Sequence, residues 1–101
     1  KSVGAEDTFS EDLTELDRMK KELEKITATV ETRLKKHGLK GRTVTLKIKY
    51  SDFKKITRSQ SLSEPLDDFD GILEVIFNLL IATGPEDKKI RLMGVTLSNF
   101  A

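Results

Sequence analysis

The side chains of this 101-residue chain that could do chemistry lie in three places. Lys47, Lys49, Lys54, Lys55 and Arg58 crowd the stretch GRTVTLKIKYSDFKKITRSQSL, residues 41–62, where Asp52 is the only acid. Cations interleaved with threonine and serine are suited to the oxygens of phosphate groups. Glu64, Asp67, Asp68 and Asp70 cluster shortly afterwards. They lack the glycine and ligand spacing of a calcium loop, and a helix start attracts acids for electrostatic reasons alone. His37 is the single histidine and belongs to no serine–histidine–acid constellation. There is no cysteine, so neither a thiolate metal site nor a disulfide can form. The expectation is no catalytic residue and no metal site, but a surface that binds anions.

Charge is segregated along the chain although the net is only +1. Residues 38–62 carry seven basic side chains against one acidic, and residues 63–87 carry seven acidic and none basic. A molecule so polarised can hold a polyanion on one face and repel it on another. The longest apolar run, around Ile72 to Ala82, contains Glu74 and Asn78 and is too short to span a bilayer. No signal peptide is visible and cysteine is absent, which suits the cytoplasm. The chain opens on Lys1 rather than methionine, as expected of a piece of a longer protein.

The elements that must position these residues can be read from periodicity. SVGAEDTF alternates weakly and reads as a short first strand. Ser10 then looks like a helix N-cap, with Glu11 and Asp12 favourable in the first turn. Leu13, Leu16, Met19, Leu23, Ile26, Val30 and Leu34 follow at steps of three and four, one stripe of a long amphipathic helix. His37-Gly38 closes it. Val44, Leu46, Ile48 and Tyr50 alternate with Thr43, Thr45, Lys47 and Lys49, a strand with one buried face. Ser51-Asp52 supplies a turn, and Phe53 to Leu62 is the return strand, with Ile56 and Arg58 sharing a parity as at an edge or bulge. Glu64-Pro65 ends it. A deeply packed second helix follows, with Phe69, Ile72, Leu73, Ile76, Phe77, Leu80 and Ile81, up to Thr83-Gly84-Pro85. KKIRLMGVTLSNF is the last strand, with a bulge expected at Gly94 so that Ile90, Leu92, Val95 and Leu97 all face the core.

The fold class is therefore α+β, in the order β-α-β-β-α-β, as one domain over residues 1–101. Two helices cover one face of a four-stranded sheet and leave the other open. The pattern assigns Thr43, Thr45, Lys47, Lys49, Lys55, Thr57, Ser59, Arg91, Thr96 and Ser98 to the open face. Lysine and threonine are also ordinary on solvated sheets, and lysine protects strand edges.

KSVGAEDTF, TVTLKIKYSDFKKITRS and IRLMGVTLSNF, in that order, resemble the little-finger domain of Y-family DNA polymerases, and most of all the DNA polymerase IV branch. The resemblance covers essentially the whole chain. It implies a domain that grips the phosphates of duplex primer-template DNA without reading sequence, within a DNA-directed DNA polymerase that copies across damaged bases. Catalysis and Mg2+ would belong to the palm domain of that parent, and no cofactor to this chain. A sliding clamp is the partner implied for the parent, with this domain itself monomeric. Carried over by motif, Lys1, Ser2 and Gly4 lie in the segment leaving the linker and reaching DNA. Thr57, Arg58 and Ser59 match the phosphate-contacting part of the third strand. Arg91, Met93, Gly94 and Thr96 match the contact region of the last strand, where backbone amides matter as much as side chains. The chain departs from relatives that carry two adjacent basic residues at Arg91-Leu92 and one near Ala5.

Two other classes share this order of elements. An RNA-binding module needs aromatic side chains on the open sheet for base stacking, whereas Tyr50, Phe69 and Phe77 fall on core parities. A protein-interaction domain would use the acidic second helix as its surface.

Overall fold

The computed structural model describes residues 2–101. In chain order the elements are β1 (Ser2–Leu13), α1 (Leu16–Lys36), β2 (Gly41–Tyr50), β3 (Lys55–Leu66), α2 (Phe69–Ala82), a 3-10 turn at Pro85–Asp87, and β4 (Ile90–Phe100). The four strands form one antiparallel sheet in the order β1-β4-β2-β3. Helix α1 packs over β1 and β4, and α2 packs over β2 and β3. This is the expected β-α-β-β-α-β arrangement with one sheet face covered.

The alternation in β2 sets the layers. Val44, Leu46 and Ile48 are buried beneath the helices, in register with Leu97, Val95 and Met93 of β4. From α1 come Met19, Leu23, Ile26, Val30 and Leu34, and from α2 Ile72, Ile76 and Leu80. Every fourth residue of α2 is thus fully buried, a narrower stripe than its sequence suggests, and Ile81 is exposed. The two helices are also joined by a hydrogen bond from the Phe69 amide to the Glu31 carboxylate, 2.8 Å long.

Helix α1 ends as the sequence indicates. Gly38 has φ 63°, and the amides of Gly38 and Leu39 donate to the carbonyls of Lys35 and Leu34. That paired closure needs a left-handed residue, which glycine adopts without a Cβ penalty. Its start differs. Ser10 lies within β1, the helix begins at Leu16, and the Glu15 side chain makes no capping bond. Leu13 decides this, because it is 3% exposed and enters the core from the sheet opposite Ile90. Residues between Thr8 and Leu13 bulge to bring it there.

Two further boundaries move. Strand β3 continues through Pro65 to Leu66 rather than stopping at Leu62. A proline is tolerated because β3 is an edge strand and has no outer neighbour needing its amide. In β4 the bulge lies at Arg91, not at Gly94. Leu92 is in register with Lys49 and Ile90 with Tyr50, so Arg91 is the extra residue. Ile90 remains in the core, while the register puts Leu92 on the side of Lys49, where it is nonetheless buried, at 9% exposed.

Candidate nucleic-acid interface

On the open face the register aligns side chains into rows that run across all four strands. Ser61, Thr43, Ser98 and Ser2 form one row. Ser59, Thr45, Thr96 and Gly4 form the next, then Thr57, Lys47, Gly94 and Glu6, and then Lys55, Lys49, Leu92 and Thr8. One half of the face therefore presents hydroxyls and the other half charge. The hydroxyls are already mutually oriented: Thr45 Oγ1 lies 2.8 Å from Ser59 Oγ, and Thr43 Oγ1 lies 3.2 Å from Ser61 Oγ. Each hydroxyl keeps lone pairs and, depending on its partner, a proton for a ligand oxygen.

In the charged half, Gly94 separates Lys47 from Glu6 across β4. With no side chain between them, Lys47 Nζ reaches Glu6 Oε1 at 3.1 Å. A Cβ on residue 94 would stand 3.1 Å from that of Glu6, so glycine is what keeps the space clear. Both ends of this ion pair are solvent-accessible, with side chains 39% and 54% exposed. Such a pair contributes at most about 1 kcal/mol to stability. Its larger consequence is that Lys47 is partly neutralised.

One row further on, the arrangement changes. The turn between β2 and β3 is closed by bonds between Tyr50 and Lys54 and from the Phe53 amide to the Tyr50 carbonyl. Its third residue is in the left-handed region, a position that favours glycine. Here it is Phe53, with φ 69°, and the residue is 60% exposed. The Lys49 ammonium and the Arg91 guanidinium each lie 5.0 Å from the centre of that ring. The bulge explains how Arg91 gets there. Its odd parity in β4 matches buried Met93 and Val95, and the extra residue re-aims it.

The residues singled out by sequence are thus distributed unevenly. Thr45, Lys47, Lys49, Lys55, Thr57, Ser59, Gly94 and Thr96 share the open face, as do Ser2 and Gly4 at the β1 edge. Arg91 joins them through the bulge. Lys1 lies outside the described residues. Met93 is placed differently, being fully buried against the helices opposite Ile48. Its side chain belongs to the core, because the bulge falls before it rather than at Gly94. The parity of Arg58 is also that of the helix side, opposite Leu46, although on edge strand β3 it stays exposed and donates to the Thr57 carbonyl at 2.8 Å. Phe53, Glu6 and Arg33 were not singled out by sequence. Arg33 reaches from α1 to the Gly4 carbonyl at the sheet edge. An aromatic residue inside a turn marked by Ser51-Asp52 was the one available signal for Phe53.

Among the described residues no cluster of His, Asp and Glu is arranged to hold a metal ion. Asp68 instead caps α2, accepting the Gly71 amide at 2.9 Å. Among the described residues no helix is long and apolar enough to cross a membrane.

Comparison with known proteins points the same way. The model of the impB/mucB/samB family C-terminal domain matches residues 1–101. DNA polymerase IV 2 of Agrobacterium fabrum is 43% identical over 99 residues, 98% of this chain and 28% of that relative. The chain therefore spans little more than a quarter of the curated relative it matches. Among solved structures, a complex of beta-clamp processivity factor and little finger domain of PolIV superposes with a TM-score of 0.81 at 22% identity, covering 100% of this chain and 90% of that one. An insertion ternary complex of Dbh DNA polymerase gives 0.86 at 15% identity, covering 99% of this chain and 28% of that one. At such identities the structures establish the fold, while the family match over residues 1–101 establishes descent: the chain belongs to the impB/mucB/samB family C-terminal domain.

Proposed function

We propose that residues 1–101 grip the phosphate backbone of duplex primer-template DNA without reading its sequence. They do so as the little-finger domain of a translesion DNA polymerase. One observation carries this reading: the uncovered sheet face is a graded surface of hydroxyls and cations. Hydroxyls and long cations position phosphates, whereas sequence is read by groups matched to base edges. Nucleotidyl transfer and its Mg2+ belong to the rest of the parent, which acts in the cytoplasm. A sliding clamp is a partner on the same reasoning, since the little finger of PolIV forms a complex with one.

The test is a fluorescence anisotropy titration of the chain with duplex and single-stranded oligonucleotides across a salt series. Binding to duplex should be weak, indifferent to sequence and steeply dependent on salt. Each phosphate neutralised should add about −0.9 to the slope of log K against log salt. Affinity unchanged by salt, or confined to one sequence, would refute the proposal. A preference for single-stranded RNA would favour the RNA-binding alternative.

A further inference from the structure

We infer that Phe53 is a positioning residue that presents Lys49 and Arg91 together as one phosphate-oxygen site. This rests on the proposed DNA grip and adds to it a residue with no polar atom in its side chain.

The charge arrangement at this end of the sheet calls for an anion. Lys49 stands directly opposite Lys55 across β2 and β3, a like-charge pair that is unfavourable by itself. The Arg91 guanidinium approaches from the other side, over β4. Among the described residues neither Lys49 nor Arg91 forms an ion pair. The nearby Asp52 carboxylate is engaged in its own turn, accepting the Lys54 amide at 3.1 Å. What holds the two cations is the Phe53 ring, 5.0 Å from each. A ring face attracts cations through its quadrupole yet carries no net charge. It can therefore gather two cations and leave their full charge available to an incoming anion, which a carboxylate cannot do.

The backbone supports the same reading. Phe53 occupies a left-handed turn position, φ 69°, where glycine or asparagine would be unstrained, and its ring is left exposed. A strained residue that packs into no core is a reason to look for a role outside folding. The bulge at Arg91 is a second local irregularity converging on the same ring.

The experiment compares Phe53→Gly, Phe53→Asn and Phe53→Trp in the 101-residue chain, measuring duplex DNA affinity across salt and the melting temperature. Gly and Asn suit the backbone and remove the ring, so both should melt at or above the parent temperature. Both should bind duplex about five- to tenfold more weakly at low salt, with the salt slope reduced by about one. Phe53→Trp keeps a ring and should bind within about twofold of the parent. In the free chain, ring-current shifts on the Lys49 Hε and Arg91 Hδ protons should vanish in Phe53→Gly. If Phe53→Gly bound like the parent while Arg91→Ala bound weakly, this inference would fail and the DNA grip would stand. The same holds if Phe53→Trp lost as much as Phe53→Gly. A loss confined to single-stranded DNA would make Phe53 a base-stacking platform instead, and would also overturn it. Failure of the parent chain to bind duplex would sink the grip itself.

Discussion

Lys47 and Lys49 project from the same face of β2, two residues apart, into different electrostatic surroundings. Lys47 meets Glu6 across the gap left by Gly94, where the carboxylate offsets part of its field. Lys49 meets the Phe53 ring, which Arg91 also approaches, and among the described residues no acid offsets its field. Each lysine has one side-chain partner, but the partners differ in net charge. For the proposed phosphate grip, ordering a cation with an acid is of little use, because the ligand then has to displace that acid. Ordering it with a neutral ring reduces the conformational freedom lost on binding and leaves the Coulombic attraction intact. The open face thus has a strong end and a moderated middle.

The largest effect expected from any test of this contrast comes from beneath it. Met93 lies in the core opposite Ile48, under the boundary between the two lysine rows. Met93→Ala should cost about 2–5 kcal/mol of stability in denaturant unfolding, while the salt slope of duplex binding stays that of the parent. A flattened slope with stability intact would place the Met93 side chain, and not only its backbone, at the interface.

Arg91→Ala should come next, flattening the slope by about one unit and weakening binding at every duplex sequence alike. Emergence of a base preference would contradict a phosphate role. Glu6→Gln should act in the opposite direction at the moderated middle. Freed of its acid, Lys47 should raise affinity by about two- to fivefold at low salt, the equivalent of a surface ion pair. Adding Lys47→Ala should cancel that gain, and a double-mutant cycle with no coupling would show that the pair does not restrain Lys47.

The smallest change is expected at Arg58. Its guanidinium lies on the helix-side parity of the edge strand, away from both rows. Arg58→Ala should shift the salt slope by less than half as much as Arg91→Ala. An equal shift would mean that DNA wraps the β3 edge and that the interface extends beyond the flat sheet.

The sequence by itself determined the layers. Strict alternation through Val44, Leu46 and Ile48 leaves one assignment of inside and outside, because a slip by one residue would bury Lys47 and Lys49. The spacing of Met19, Leu23, Ile26, Val30 and Leu34 likewise admits only a helix with one apolar side, and His37-Gly38 ends it by local geometry alone. These features depend on neighbours in the chain, so they are legible there. Where a residue's surroundings come from distant strands, the tertiary structure decided. Ser10 looks like a cap until Leu13 is drawn into the sheet by Ile90. Gly94 looks like a bulge until its real purpose, the gap between Glu6 and Lys47, is seen across three strands. Phe53 looks like one more strand residue until the turn holds it at φ 69° and the bulge at Arg91 delivers a second cation to its ring. Periodicity records which face a side chain takes, and only strand register records what stands beside it.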